Sequence, residues 1–399
     1  MSSLAGARVV LGVTGGIAAY KAIEVSRRLV DAGAHVVPVL TEGAEHFVGR
    51  TTFDALASEK AQTSLWDESS PIPHTTLGQT ADLIVVAPAT ARLLADYRMG
   101  RSDDLLTATL IATRAPVLIA PAMHTEMWEH PAVQDNLAVL GDRGVHIVEP
   151  ESGRLAGGDI GHGRLAAPAT IVANAERVLS ESDLSGAHVV ITAGGTREPI
   201  DPVRVISNRS TGKQGYALAE AAWARGADVT LITTVDREAP VGVKIVPVET
   251  AADMQEAVSK VATADVIVMA AAVADFRPAA PAQNKIKKAG AEVPEILLEK
   301  THDFLVDLGA NKPAGQVLVG FAAETENLLK NAHAKLERKN LDLIVANDVS
   351  APGAGFAHDT NKVTVLLANG QEIDIPLGSK RAVAEAVLDA VVRVRGAQS

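Results

Sequence analysis

Cysteine is absent from the chain, which excludes disulfides, thiolate metal sites and a cysteine nucleophile. Aromatic residues are only 3% of it, so a planar ligand has to be gripped by aliphatic walls and backbone groups. Basic residues are outnumbered, 37 Lys and Arg against 48 Asp and Glu, and the net charge of −11 argues against nucleic acid as a partner. Anions must be met by local clusters of lysine and arginine and by helix N-termini. No uninterrupted apolar run approaches the roughly 18 residues of a membrane span. The glycine-broken stretch after Arg8 reads as a first buried strand, not as a signal peptide. Together these absences predict a cytoplasmic protein with no membrane partner.

What is present is one pattern used twice. The apolar run Val9–Val13 leads into Thr14-Gly15-Gly16 and a helix; Val189–Ile191 leads into Thr192-Ala193-Gly194-Gly195-Thr196. Each helical stretch then stops at a glycine, Gly33 or Gly226, before a new strand. Each half next offers an Ala-Asp step and a buried-strand run, Leu83–Val86 and Val266–Met269. Parallel strands alternating with helices, with glycines at the strand ends, predict an α/β fold of two Rossmann-like three-layer domains. A hydrophobic content of 47%, much of it Ala and Val, suits strands buried on both faces. The polar stretch Ser180–Gly186 divides 1–183 from 184–399.

Within the first half the pattern predicts a βαβ start over about 7–41, a helix over about 91–96 and strands at Ala115–Ala120 and Val145–Val148. The glycine-rich stretch of about 151–167 reads as a mobile lid. The second half carries a polar, glycine-rich loop from Gly194 to Gly215 before a helix over Tyr216–Ala224. An irregular segment, Phe276 to Gly290, holds Lys285, Lys287 and Lys288. A helix over about 325–338 puts Lys335 and Lys339 four apart on one face. A hairpin turning at Asn369-Gly370 and an amphipathic helix close the chain.

A glycine pair after a strand lets the backbone approach a phosphate at a helix N-terminus. Neither opening is a full G-x-G-x-x-G, and no acid stands cleanly at the end of the second strand, which disfavours an NAD-type dehydrogenase. The loop 194–215 surrounds a helix N-terminus with hydroxyls, amides and charges suited to an anion. The lysines at 285–288 sit after a strand end in an acidic chain and read as phosphate-binding.

These residues carry a resemblance. Gly15-Gly16-Ile17-Ala18, His74, Ala87-Pro88-Ala89-Thr90-Ala91, Asp103-Asp104-Leu105-Leu106 and Pro121-Ala122-Met123-His124 make the first half similar to the flavodoxin-like flavoprotein cysteine decarboxylases. Gly194–Arg204, Ser207–Gly215, Ala270–Phe276 and Val319–Thr325 make the second half similar to CTP-dependent phosphopantothenate–cysteine ligases. The whole chain resembles the bifunctional decarboxylase–ligase family of coenzyme A biosynthesis.

For the first half the resemblance implies FMN held at a subunit interface, met by Gly15, Gly16, Ile17, Thr41, Ala87 and Thr90. His74 would handle a substrate proton or orient the substrate. Two positions depart from the family: His124 stands where an asparagine orients the substrate carboxylate, and Gly157 where a flap cysteine donates the last proton. His124, His162 or a water they orient is the expected replacement donor. For the second half it implies that 4′-phosphopantothenate attacks CTP, with Mg²⁺, to give an acyl-CMP that L-cysteine then opens. Met269, Ala270, Ala271 and Asp275 would meet the cytosine, and His302, Asp303, Phe304, Leu305, Phe321, Lys335 and Lys339 other parts of CTP. Lys285 would serve acyl-CMP formation and Asn208 its turnover. A homo-oligomer is implied, trimeric in the flavoprotein half and dimeric in the ligase half. The alternative is a ligase joined to a non-catalytic flavoprotein half.

Overall fold

The computed structural model describes residues 2–66, 71–287, 295–324, 328–348, 355 and 358–398. The chain partitions into two compact units, Ser2–Ser180 and Glu181–Ser399. Among the described residues no helix is long and apolar enough to cross a membrane.

In the first unit, β1 (Arg8–Val13), β2 (His35–Leu40), β3 (Leu83–Ala89), β4 (Val117–Pro121) and β5 (His146–Ile147) form one parallel sheet in the order β2-β1-β3-β4-β5. This is the flavodoxin-like order, with its switch point between β1 and β3. Strand periodicity sorts the core. Val9, Leu11, Val36, Leu83 and Val85 pack on one face, Val10, Val37, Ile84 and Val86 on the other. Helix Lys21–Asp31 buries Ala22, Val25 and Leu29, three to four residues apart, against the first of these. The stretch expected as a lid is an antiparallel hairpin of β6 (Glu151–Arg154) and β7 (Ile160–Arg164) and not an irregular loop. Its glycines serve the ribbon, with Gly163 at φ +128°, so this stretch pairs with itself rather than looping.

The second unit begins with β8 (His188–Ala193), β9 (Arg197–Pro199), β10 (Val205–Ser207), β11 (Asp228–Thr233) and β12 (Val243–Pro247). It continues through β13 (Val266–Met269), β14 (Phe276–Pro278), β15 (Leu298–Lys300), β16 (Val317–Glu324), β17 (Leu343–Asp348), β18 (Thr360–Leu367) and β19 (Glu372–Ser379). Its sheet runs β12-β11-β8-β13-β16-β17-β18-β19, parallel up to β17 and antiparallel for the last two. The hairpin turns through Gly370 at φ +88°, as its Asn-Gly pair demands. Val189, Ile191, Val229 and Val268 face helix Lys213–Ala224 and the closing helix Lys380–Gln398, which buries Val383, Val387 and Val391. Val190, Ile232, Ile267 and Leu318 face the opposite helices. Both units are three-layered, as expected.

Two boundaries differ. The loop 194–215 contains the ribbon β9–β10, and its helix begins three residues early, at Lys213. The segment after Phe276 starts as β14, paired with β15. Lys288, Ala289, Gly290 and Thr325 lie outside the described residues.

Candidate active sites

The ends of β1, β3 and β4 open on a cavity of about 560 Å³ in the first unit. Its floor is the turn Gly15-Gly16-Ile17. A Cβ on Gly15 would lie 2.6 Å from the carbonyl carbon of Gly43, so only glycine lets the two turns touch. Thr90 caps the helix Ala91–Met99, accepting from the Leu93 N–H at 3.4 Å. Lys21, Arg154 and Arg164 add three cations to largely apolar walls. The Lys21 amine donates to the Leu165 carbonyl at 2.9 Å, and burial, then Arg164, pulls its pKa below the usual amine range.

His124 lines the same cavity. Its Nδ1 bonds Glu126, and its Nε2 lies 3.2 Å from Asp159 in the turn between β6 and β7. The bond to Glu126 foremost, with help from Asp159, raises the imidazole pKa above its ordinary value. The hairpin is tied down beside it: the Met123 N–H donates to Gly163 at 2.9 Å, and the Thr125 hydroxyl to the His162 carbonyl at 2.8 Å.

Gly15, Gly16, Ile17, Thr90 and His124 therefore converge, and three expected residues do not. Thr41 spends its hydroxyl on the turn after β2, accepting from the Ala44 N–H at 3.3 Å. Ala87 shares the alternation of Val85 and is fully buried in the core; Pro88 lines the cavity instead. His74 sits in helix Pro73–Thr80, away from the cavity lining, its buried Nδ1 without a partner among the described residues. His162 also points elsewhere, with Nδ1 at 3.0 Å from the Ser152 hydroxyl and its ring against Trp128. Lys21 was not singled out from sequence, although a cation one turn after the glycines was a legible signal.

In the second unit a cavity of about 790 Å³ opens beside the ends of β13 and β16. The backbone after β13 is pinned at three points. The Ala271 N–H donates to Thr192 Oγ1 at 3.0 Å, Ala272 to the Gly194 carbonyl at 2.8 Å and Ala274 to Thr196 Oγ1 at 2.9 Å. Asn208 donates Nδ2 to the carbonyls of Ala272 and Val273 at 3.1 and 3.2 Å, which leaves its side-chain oxygen to the cavity. Met269, Ala271, Asp275, His302, Asp303, Phe304, Leu305, Phe321, Lys335 and Lys339 all line it. Lys339 pairs with Asp303 at 2.8 Å, and His302 with Asp307 at 2.5 Å.

Ala270 lines a smaller adjoining cavity instead. Lys285 is exposed and outside the lining, because its segment is anchored elsewhere: the Ile286 N–H donates to buried Asp201 at 3.2 Å, and Arg204 to the Ile286 carbonyl at 3.2 Å. Arg209, Thr301 and His358 join the lining without having been predicted. Arg209 was legible beside Asn208; His358 comes from a loop before β18 with no periodic signal.

A family model described as "DNA/pantothenate metabolism flavoprotein C-terminal domain" matches residues 184–394, and one described as "Flavoprotein" matches residues 2–180. The coenzyme A biosynthesis bifunctional protein CoaBC of Mycobacterium tuberculosis (strain ATCC 25618 / H37Rv) is 50% identical, over 96% of this chain and 96% of its own. The chain belongs to this bifunctional family of coenzyme A biosynthesis. The Bacillus subtilis (strain 168) member is 48% identical over the same shares. The crystal structure of the C-terminal domain of a CoaBC protein matches at 41% identity and a TM-score of 0.46, covering 54% of this chain and 98% of that one. The family is enzymatic, and the resemblance read from the motifs holds along nearly the whole chain.

Proposed function

We propose that residues 184–399 ligate L-cysteine to 4′-phosphopantothenate at the expense of CTP, and that residues 1–183 decarboxylate the product to 4′-phosphopantetheine with FMN. The reading rests above all on one observation: Asn208, Asp275, His302, Lys335 and Lys339, far apart in sequence, share one 790 Å³ cavity.

In the ligase half the substrate carboxylate attacks the α-phosphate of CTP and pyrophosphate leaves, giving an acyl-CMP. Lys335, Lys339 and Arg209 neutralise phosphate charge, and Asp275 meets the cytosine. Lys285 approaches from its exposed strap when the triphosphate is bound. Mg²⁺ arrives on the nucleotide, whose phosphate oxygens are its preferred ligands; among the described residues no cluster of three His, Asp or Glu offers a protein-built site. The Asn208 side-chain oxygen then accepts a hydrogen from the incoming amine, which displaces CMP.

In the decarboxylase half the residues fit FMN. The side-chain-free turn at Gly15 and Gly16 admits close approach, Lys21, Arg154 and Arg164 suit its phosphate, and the apolar walls suit its ring. Bound there, FMN supplies the two-electron chemistry that lets a cysteine carboxylate depart as CO₂. His124 orients that carboxylate and carries a proton at Nε2. His74 reaches the cavity from a neighbouring copy, in keeping with a cofactor at a subunit interface; the homo-oligomer is trimeric in this half and dimeric in the ligase half. The setting is the cytoplasm.

Incubation with 4′-phosphopantothenate, CTP, Mg²⁺ and cysteine, followed by mass spectrometry and a visible spectrum, tests both halves. The expected result is a yellow protein, CMP, pyrophosphate and 4′-phosphopantetheine. Accumulation of the cysteine adduct without decarboxylation would support the second reading, a ligase with a non-catalytic flavoprotein half, which the glycine at 157 favours.

A further inference from the structure

Beside the nucleotide cavity lies a second, smaller one of about 100 Å³. The two share Ala271, Ala272, Phe321, Ala322 and Gly355, so a group seated in the small cavity faces the large one. Its volume matches about three water molecules, the size of an amino-acid head group and far below that of a nucleotide.

Alanines and Phe321 line much of it, and three polar groups face them. One is the N-terminus of the 12-residue helix Lys213–Ala224, whose N-cap, Gly212, is left-handed and has no side chain to cap it. Opposite stands Lys380, only 7% exposed, donating to the Gly355 carbonyl at 3.0 Å. Gln214 ties the two together, donating Nε2 to the Lys380 carbonyl at 3.0 Å. The third is Asn347, 8% exposed, whose side-chain oxygen has no hydrogen-bond partner among the described residues.

A buried amide oxygen without a donor is costly, so its position asks for a ligand that brings hydrogens. A helix N-terminus with a buried lysine asks for an anion. A phosphate dianion answers only the second demand. An α-amino acid answers both.

We propose that this cavity is the subsite for the amino-acid substrate: the carboxylate of L-cysteine lies between the Gly212 helix N-terminus and Lys380, and its amine donates to Asn347. The assignment rests on the ligase reading above. Burial, then Lys213, pulls the Lys380 amine below its ordinary range, and a carboxylate seated beside it would push it back up. Anchored so, the neutral amine points its lone pair toward the shared wall. Nitrogen bonds to the acyl carbon, the acyl–oxygen bond to CMP breaks, CMP leaves as its phosphate anion and the surplus amine proton passes to water.

Cysteamine, which has the same nucleophile and no carboxylate, is the probe. The full-length enzyme is expected to form acyl-CMP from CTP and 4′-phosphopantothenate without cysteine, and then to use cysteine far better than cysteamine. Lys380→Gln should raise the KM for cysteine at least tenfold, leave the kcat/KM for cysteamine and the KM for CTP unchanged, and form acyl-CMP normally. Asn347→Leu should raise the cysteine KM likewise, and it carries the test if Lys380→Gln does not fold. An unchanged cysteine KM, or a rise confined to CTP or 4′-phosphopantothenate, overturns the subsite. Failure of the unsubstituted enzyme to form acyl-CMP overturns the ligase reading itself, and the subsite with it.

Discussion

Gly157 faces His124: a Cβ built on the glycine would lie 3.7 Å from His124 Nε2 and 3.3 Å from Asp159 Oδ2. An imidazole held by two carboxylates thus stands next to the position where the resemblance puts a proton-donating cysteine. The unsubstituted enzyme is expected to complete the reduction and release 4′-phosphopantetheine. His124→Asn should release the enethiol, lighter by two hydrogens, whereas His162→Ala should still give the reduced product, because that ring is turned to Ser152 and Trp128. Undiminished phosphopantetheine from His124→Asn, read by mass spectrometry, would remove His124 as the donor.

The same pair of carboxylates sets a pH dependence. The folded-state pKa of His124 is raised, chiefly by Glu126. Its stabilising contribution is therefore complete below the unfolded imidazole value of about 6.5 and fades as pH rises through the folded value. An NMR titration should place His124 above that reference, and Glu126→Gln should bring it down. A midpoint at or below the reference in the unsubstituted protein contradicts the geometry.

Lys285→Ala is expected to abolish acyl-CMP formation, and Asn208→Ala to let it form and accumulate. A lysine stabilising the charge of the phosphoryl transition state is worth about 3–4 kcal/mol, or a 10²–10³-fold rate loss. Asn208 is expected to serve the later step with its side-chain oxygen, its amide nitrogen being bound to Ala272 and Val273. Quench-flow detection of the intermediate decides it; equal loss of both steps in both variants refutes the division of labour.

Arg225, 8% exposed, ties the segment before β8 to the closing helix, bonding Asp183 and, at 2.7 Å, Asp389. Those bonds outweigh burial and raise its pKa, so it is charged at every accessible pH. Arg225→Ala leaves the acids without their cation and should destabilise the second unit by about 3 kcal/mol. Urea unfolding followed at the second unit's own transition measures this; a shift under about 0.5 kcal/mol would show the cluster to be solvated like any surface pair.

The halves should separate near 180–187, since each closes its own sheet and core. A fragment from about residue 186 onward is expected to consume CTP and form phosphopantothenoylcysteine. A folded fragment that does neither counts against modularity.

The α/β class, the two units and the glycine turns were legible in the chain, because each rests on local patterns: apolar runs of strand length, glycines at their ends, and helix periodicity between them. Lys335 and Lys339 were legible as a pair for the same reason, although the helix Leu328–Arg338 ends one residue before Lys339. The hairpin at 151–164 was not, because what its glycines make room for, the close contacts of the ribbon with Met123 and Thr125, lies some 30–40 positions away in the chain. Nor was the separation of the predicted site residues. Strand alternation turned Ala87 into the core, the Asp201 anchor drew the Lys285 strap out of the cavity lining, and helix Pro73–Thr80 kept His74 from it. The small cavity among Gly212, Asn347 and Lys380 has no sequence signature at all. Gly212 lies more than 130 positions before Asn347 and Lys380, and only the packing of the closing helix against helix Lys213–Ala224 brings a buried lysine over a helix N-terminus.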